Sequence, residues 1–225
     1  MAGTVVFDLD GTLADTSGDL IAAANACFRG RGLGDLLHPQ DDALIAFHGG
    51  RAMLRAGYGR MTPDMLLPPG AEDEDYKRLL DHYGQAIAVH TRLYPGTEDA
   101  LDRLARDGHI LSVCTNKPEA LAEVLLRELG IRDRFAALVG ADTLPVRKPD
   151  PRPYQAAVER AGGQVARSFL VGDTETDRKT ASAAGVRVAL VAFGPEGEAL
   201  SRLAPEAMLA DYADLPALAA EWLAD

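Results

Sequence analysis

The sequence has few cysteines and few aromatic residues. Its 225 residues include only two cysteines, Cys27 and Cys114, and 6% aromatic residues. Two cysteines far apart in a chain are typical of small buried apolar side chains in a reducing compartment. We therefore expect both thiols to be free and buried, with a structural disulfide as the less favoured alternative.

Positive charge and long apolar runs are also scarce. Lys and Arg number 23 against 34 Asp and Glu, which gives a net charge of −11. This balance disfavours binding to nucleic acid and to anionic membranes, because both need a basic surface. No stretch approaches the length of a membrane span, and the first apolar run meets Asp8 too early for a signal peptide. We therefore expect a cytoplasmic protein, either a monomer or a homodimer.

Apolar runs alternate with helical patterns over most of the chain. The runs predict six strands, at residues 4–7, 110–114, 137–139, 169–171, 186–191 and 208–210. Helical patterns follow at residues 97–107, 119–129, 152–161, 175–184 and 215–223. Alternation of this kind predicts an α/β fold, with a parallel sheet covered by helices on both faces.

The stretch after the first strand has a different pattern. It carries no convincing strand. Its apolar spacing predicts one helix that begins near Ser17 or Asp19, and three further helices at residues 39–47, 51–60 and 72–90. We therefore predict an all-helical insert at residues 16–90. The α/β core then comprises residues 1–15 and 91–225.

Polar side chains follow four of the predicted strands. They are Asp8, Asp10, Thr115, Asn116, Lys117, Lys148 and Asp173. The ligand crevice of an open parallel sheet lies beyond the carboxyl ends of its strands, so these side chains should meet. Ionised carboxylates are costly to bury unpaired, and Mg²⁺ is a cation that prefers oxygen ligands. The aspartates therefore predict a magnesium site at this edge.

Four motifs of the chain resemble, in their sequence and in their order, those of haloacid dehalogenase-like hydrolases, specifically the phosphoglycolate phosphatase-like branch. They are FDLDGTLADT, CTNK, the lysine of VRKPDP, and VGDTETD, and they span residues 7–177. The helical stretch lies between the first two motifs, where this branch carries its cap domain. The resemblance thus implies a Rossmann-like parallel sheet core with an inserted all-helical cap domain.

The resemblance also implies the roles of the acids and the lysine. Asp8 is the nucleophile that forms an aspartyl-phosphate, and Asp10 is the general acid and base, whose backbone carbonyl also binds Mg²⁺. Lys148 offsets the charge of Asp8 and phosphate. Asp173 is the remaining metal carboxylate, while Asp177, one helical turn later, holds a metal-bound water rather than the ion itself.

The other core positions are assigned to the phosphoryl group. Thr115 can donate its hydroxyl to a phosphoryl oxygen, with Asn116 beside it, and Gly11 allows a sharp turn that brings backbone amides near phosphate. Each assignment has a structural alternative. The aspartates at 8 and 10 can cap a turn, Thr115 and Asn116 can form one, Lys148 can be a surface lysine, Asp173 can be a helix N-cap and Asp177 an exposed acid.

The insert offers one substrate-binding candidate, Arg51. The segment FHGGRAML at residues 47–54 resembles one that faces the substrate in this branch. Arg51 can bind a substrate carboxylate, as 2-phosphoglycolate would require, or it can begin a helix at the surface. The five histidines lack metal-ligand spacing, and His48 is noted only for its place beside the glycine pair.

The resemblance implies a magnesium-dependent phosphoric monoester hydrolase. Its partner is a small phosphorylated metabolite, with 2-phosphoglycolate the best single choice. One alternative is a sugar phosphomutase of the same superfamily, which returns the phosphoryl group to the sugar. Another is a non-catalytic binding or regulatory protein on this fold, which the intact acids and lysine disfavour. A 2-haloacid dehalogenase is disfavoured because those enzymes lack the second aspartate and need no magnesium.

Overall fold

The computed structural model of the chain describes residues 3–61 and 67–224. Their contacts divide the chain into two compact units. The α/β unit comprises Met1–Asp15 and Leu93–Asp225, and the helical unit comprises Thr16–Arg92. The first division coincides with the predicted one, and the second lies two residues after the predicted boundary at residue 90.

Eight strands are found in the described residues. They are β1 (Thr4–Phe7), β2 (Ala14–Asp15), β3 (Arg92–Leu93), β4 (Ile110–Cys114), β5 (Ala137–Val139), β6 (Ser168–Gly172), β7 (Arg187–Val191) and β8 (Ala207–Leu209). Six of them form one sheet in the order β5-β4-β1-β6-β7-β8, and every pairing in it is parallel. The parallel sheet is therefore confirmed, with each predicted strand correct to within one residue at either end.

β1 is one of the two central strands of this sheet. It pairs with β4 on one side and β6 on the other, so that Thr4 lies opposite both Ile110 and Ser168. All four of its residues are buried, which explains its unbroken apolar run, since a strand of a parallel sheet is covered on both faces. The carboxyl end of β1 therefore opens at the middle of the sheet edge.

Nine α-helices are found in the described residues. They are α1 (Ser17–Gly30), α2 (Ala43–Phe47), α3 (Gly50–Tyr58), α4 (Ala71–Gln85), α5 (Thr97–Arg106), α6 (Glu119–Glu128), α7 (Pro151–Arg160), α8 (Glu175–Ala184) and α9 (Leu215–Trp222). Those of the α/β unit match the predicted helices to within one residue at either end. The helical unit contains α1–α4, and its described residues from 16 to 91 form no strand.

Two helices of the helical unit are shorter than predicted. The pattern at residues 39–47 yields only α2, because the Asp42 carboxylate accepts a hydrogen bond from the His38 backbone at 2.8 Å and holds that segment in a turn. The helix predicted at residues 72–90 is α4, and it ends earlier, at Gln85. The backbone amides of His90 and Thr91 donate instead to Asp19 at the start of α1, at 3.0 and 2.8 Å.

The helical unit has a buried ionic cluster that the sequence did not reveal. Asp75 of α4 is fully buried and accepts hydrogen bonds from Arg31 and Tyr58, and from Arg78 at 3.3 Å. Next to these polar groups, Leu79 and Tyr83 of α4 form part of the unit's apolar core. The apolar spacing that predicts this helix therefore reflects packing in the core of the unit.

Both cysteines are free and buried, as expected. Burial raises the pKa of Cys27 to about 11 and that of Cys114 to about 12. Both side chains therefore stay protonated near neutral pH and pack as small apolar groups. None of the helices in the part of the chain that the structure describes combines the length and the apolar composition needed to cross a membrane.

Candidate active site

Asp8 lies directly beyond the carboxyl end of β1. Its backbone amide donates to Val171 at 2.9 Å, which extends the β1–β6 pairing by one residue and fixes the position of the side chain. One carboxylate oxygen, Oδ2, is 3.0 Å from the Lys148 ammonium. The other, Oδ1, accepts a hydrogen bond from the Leu9 amide at 2.7 Å. Burial raises the pKa of Asp8 to about 6, and the positive charge of Lys148 limits that rise.

Lys148 is buried between two acids. Its side chain is 1% exposed, and its Nζ is 3.0 Å from Asp8 and 2.6 Å from Asp177. The Asn116 amide holds the lysine's backbone by donating to its carbonyl oxygen at 3.0 Å. Burial lowers the pKa of Lys148, but the two carboxylates more than reverse this, so the lysine carries its charge at neutral pH. The structure thus excludes the alternative of a surface lysine.

Asp177 is fully buried in the first turn of α8. Its Oδ1 accepts from Lys148, while its Oδ2 accepts from the Thr174 hydroxyl at 2.6 Å and the Thr174 amide at 3.1 Å. Thr174 and Asp177 together form the capping box that begins α8. The alternatives in which Asp173 caps this helix and Asp177 is an exposed acid are therefore wrong.

Asp173 follows β6, the strand next to β1. Its Oδ1 accepts a hydrogen bond from the Thr12 hydroxyl at 2.8 Å. Gly11 lies against the same carboxylate, and a Cβ at that position would stand 2.1 Å from Oδ2. Gly11 also has a φ of +81°, which favours glycine. Burial, followed by the negative charges of Asp177 and Asp8, raises the pKa of Asp173 well above its usual range.

The three acids form one buried cluster. Each of Asp8, Asp173 and Asp177 offers a carboxylate oxygen, and these atoms lie within 4.8 Å of one another. Lys148 contributes one positive charge against three carboxylates. The donor set and its excess negative charge therefore fit a hard divalent cation such as Mg²⁺.

A second lysine is paired with the second aspartate of the first motif. Lys117 places its Nζ 2.8 Å from Asp10 Oδ1, and the two side chains are 4% and 19% exposed. The Thr115 hydroxyl accepts a hydrogen bond from the Lys117 backbone at 3.2 Å, so the loop after β4 positions both residues. The sequence placed Lys117 at this sheet edge without assigning it a role, and the structure places its ammonium against Asp10.

Thr12 is a further site residue that sequence reasoning did not single out. It lies within the first motif, and its hydroxyl holds Asp173. Its position directly after Gly11, with a hydroxyl able to reach a neighbouring loop, was a usable signal. The carbonyl oxygen of Thr12 accepts a hydrogen bond from Tyr212, which no local pattern links to the motif.

Arg51 lies in the helical unit, near the start of α3. Its guanidinium is 2.6 Å from Asp73 and 3.6 Å from Glu72, and it lies over the ring of Tyr76 at 4.5 Å. The side chain remains 45% exposed, so these contacts leave part of it accessible. His48 is exposed at the end of α2, where its backbone amide donates to the last turn.

The chain is similar to known proteins in family, in sequence and in fold. A family model described as haloacid dehalogenase-like hydrolase matches residues 5–191. The phosphoglycolate phosphatase of Mesorhizobium japonicum is 37% identical over 221 residues, which cover 97% of this chain and 95% of that protein. The phosphoglycolate phosphatase of Agrobacterium fabrum is 38% identical over 214 residues, with coverages of 95% and 91%.

A similar fold is also found among crystal structures. A protein described as a predicted phosphoglycolate phosphatase from Haemophilus somnus superposes with a TM-score of 0.85 and 24% sequence identity. The match covers 96% of this chain and 97% of that one. At 24% sequence identity, this similarity shows that the two proteins share a fold.

Proposed function

The chain belongs to the haloacid dehalogenase-like hydrolase family, in its phosphoglycolate phosphatase-like branch, and from this premise we propose that it hydrolyses a small phosphate monoester with Mg²⁺ through an aspartyl-phosphate. Membership of that branch makes it a phosphoric monoester hydrolase. The metal, the covalent intermediate and the substrate, 2-phosphoglycolate, constitute the proposal.

The observation that carries the proposal is the position of Asp8. A carboxylate at the middle of the sheet edge, in contact with a buried lysine and within 4.8 Å of two further acids, has a geometry that suits a nucleophile toward phosphorus. A carboxylate facing a phosphate dianion at 4 Å is repelled by about 8 kcal/mol at an effective dielectric near 20. Lys148 offsets part of this repulsion, and bound Mg²⁺ supplies further positive charge to both groups.

The residues of the α/β unit would hold the metal and the phosphoryl group. Asp8, Asp173 and the backbone carbonyl of Asp10 would bind Mg²⁺. The structure gives both oxygens of Asp177 to Lys148 and Thr174, so Asp177 would act mainly by orienting that lysine and the loop. Thr115 would donate to a phosphoryl oxygen, with Asn116 holding Lys148 in place.

The reaction consists of two displacements at phosphorus. In the first, a carboxylate oxygen of Asp8 forms a bond to phosphorus, the ester P–O bond breaks, and Asp10 gives its proton to the departing alkoxide. In the second, a water oxygen forms a bond to phosphorus, the bond between phosphorus and the Asp8 oxygen breaks, and the Asp10 carboxylate takes a proton from the water. Inorganic phosphate leaves, and Asp8 and Asp10 return to their starting states.

The substrate proposal is supported by the two phosphatase relatives and by Arg51. Both relatives are named for phosphoglycolate and cover nearly the whole chain. A guanidinium that is 45% exposed in the helical unit can bind the carboxylate of 2-phosphoglycolate after release from its acidic neighbours. We propose that this unit is the cap domain. We also propose a cytoplasmic location, which the two free, buried thiols support.

The test is phosphate release from a panel of esters with Mg²⁺ and with a chelator. The panel contains 2-phosphoglycolate, 3-phosphoglycerate, glycerol phosphate, glucose 1-phosphate and an aryl phosphate. We expect hydrolysis only with Mg²⁺, and the highest kcat/KM for 2-phosphoglycolate. Conversion of glucose 1-phosphate to glucose 6-phosphate without free phosphate would favour the phosphomutase instead. Inactivity toward the whole panel would contradict hydrolysis and favour a binding protein.

The affinity for Mg²⁺ should rise with pH because Asp8 must be ionised to bind a cation. With a pKa of about 6, Asp8 is mostly protonated at pH 5.5 and mostly ionised at pH 7.5. The raised pKa of Asp173 acts in the same direction. We expect the dissociation constant, measured by titration calorimetry, to fall by about fourfold or more over this interval.

The matched control for this pH effect is Asp8→Asn, which cannot titrate at this position. Its affinity should be weaker, and the part of the pH dependence that Asp8 supplies should be lost. A wild-type dissociation constant that is equal at the two pH values would contradict the participation of these buried carboxylates in binding.

A further inference from the structure

Tyr212 is connected to the acidic cluster by two hydrogen bonds in series. It is fully buried in a short turn, Tyr212–Asp214, that follows β8. Its hydroxyl donates to the carbonyl oxygen of Thr12 at 2.8 Å, across a separation of 200 residues. The Thr12 hydroxyl then donates to Asp173 at 2.8 Å. The Tyr212 hydroxyl thus contacts the backbone of the residue whose own hydroxyl holds Asp173.

The Thr12 peptide lies in a tight turn, and the next carbonyl oxygen, that of Leu13, accepts from the Tyr94 amide at 3.1 Å. The amides of Leu13 and Ala14 both donate to Leu9, at 3.0 and 3.3 Å, and the Gly11 amide donates to Ala14 at 2.9 Å. Thr12 is fully buried, so its carbonyl oxygen has no exposure to bulk water. The Tyr212 hydroxyl is therefore the group outside the turn that bonds to the carbonyl of Thr12 itself.

The ring of Tyr212 is itself held on two sides. Phe193 packs against it with ring centroids 5.1 Å apart, and Phe193 packs in turn against Tyr94 at 5.0 Å. On another side, a Cβ at Gly96 would lie 3.3 Å from Tyr212 Cβ, which shows how closely the backbone approaches. A side chain packed in this way presents its hydroxyl in one position.

We propose that Tyr212 is a positioning residue for metal binding, and that it acts through Thr12 on the carboxylate of Asp173. It keeps the Thr12 peptide in the orientation from which the threonine hydroxyl holds Asp173 for a divalent cation. Groups that orient metal ligands tune affinity without touching the metal. This inference rests on the proposed function, since it assumes that Asp173 binds Mg²⁺.

The direct test is Tyr212→Phe, which keeps the ring and removes the hydroxyl. We expect its dissociation constant for Mg²⁺, measured by titration calorimetry at pH 7.5, to be about 3- to 10-fold higher than that of the wild type. The matched control is Tyr154→Phe. Tyr154 is also fully buried, and its hydroxyl bonds to Ser168 at 2.7 Å, at the opposite end of β6 from Asp173.

The control separates positioning from stability. Both substitutions remove a buried hydroxyl, so both should lower the melting temperature. Only Tyr212→Phe should weaken Mg²⁺ binding, whereas Tyr154→Phe should stay within about twofold of the wild type. Equal dissociation constants in the two variants would overturn the inference.

Substitutions of Thr12 test the route of the effect. Thr12→Ser keeps the hydroxyl and should bind Mg²⁺ nearly as the wild type does, while Thr12→Val should raise the dissociation constant by about 10- to 100-fold. Adding Tyr212→Phe to Thr12→Val should then cause little further loss of Mg²⁺ affinity, because both substitutions act through the hydrogen bond from Thr12 to Asp173. Independent, multiplying losses would overturn the proposed route.

The outcomes also distinguish this inference from the proposed function. A wild-type protein that binds no Mg²⁺ would overturn both. A wild-type protein that binds Mg²⁺ and releases phosphate, with Tyr212→Phe indistinguishable from Tyr154→Phe, would overturn the role of Tyr212 alone.

Discussion

Replacing Asp8 with asparagine is expected to lower the rate of phosphate release by at least about 10⁴-fold, because removal of a nucleophile from a covalent mechanism leaves only binding and electrostatic effects. The carboxamide is almost the same size as the carboxylate, and Lys148 keeps its contact with Asp177 at 2.6 Å. We therefore expect the variant to fold. The measurement is the steady-state release of inorganic phosphate from 2-phosphoglycolate with saturating Mg²⁺.

A matched control and a second readout make this prediction specific. Asp133→Asn changes an exposed acid in the turn after α6 and should leave the rate unchanged. Rapid acid quenching followed by mass spectrometry should detect phosphate on the peptide that contains Asp8 in the wild type, and none in Asp8→Asn. A variant that retains a tenth of the activity would rule out Asp8 as the nucleophile.

The α/β unit was predictable from sequence because its signals are local. Each strand is a short apolar run, and each following helix has its own apolar face and end signals. For example, Gly185 ends α8 with a φ of +70°, a conformation that favours glycine. The parallel pairing then follows from the alternation of strands and helices. This also placed Asp8, Lys148 and Asp173 at one sheet edge, where the structure brings their loops together.

The helical unit was less predictable because tertiary contacts set its helix ends. The pattern of α4 continues to residue 90, yet the helix ends at Gln85, since the Asp19 carboxylate binds the amides of His90 and Thr91. The sequence of residues 72–90 alone does not predict that contact. Asp75 was likewise hidden, because its partner Arg31 lies 44 residues away in the sequence.

The connections within the site also depend on distance in the sequence. The pairing of Lys117 with Asp10 joins residues 107 positions apart, and the Tyr212 contact spans 200. A motif shows which residue types meet at an edge of the sheet, but it does not show which aspartate forms an ion pair with which lysine. Asp177 illustrates the difference: its spacing predicted a role at the metal through water, which stays a prediction, and the structure adds that its oxygens contact Lys148 and Thr174.

Replacing Lys148 with methionine is expected to lower the free energy of unfolding by about 3–5 kcal/mol at pH 8 in the presence of a chelator. Methionine can occupy much of the same space, but it leaves Asp8 and Asp177 buried without the cation that both contact. Removing one partner of a buried ion pair is costly because the remaining charge is uncompensated. The measurement is urea unfolding, with the chelator preventing a metal ion from replacing the lost charge.

The same variant should lose less stability at low pH, and this sets it apart from a packing defect. The pKa of Asp8 is already raised to about 6, and loss of the lysine raises it further. The penalty is therefore fully present above that pKa and decreases as the pH falls through it and the carboxyl group takes up a proton.

The matched control is Lys179→Met, which removes a 60% exposed lysine paired with Glu175. It should cost less than about 0.5 kcal/mol at either pH. Equal losses in the two variants, or a Lys148→Met loss that is independent of pH, would contradict a buried charge cluster balanced by this lysine.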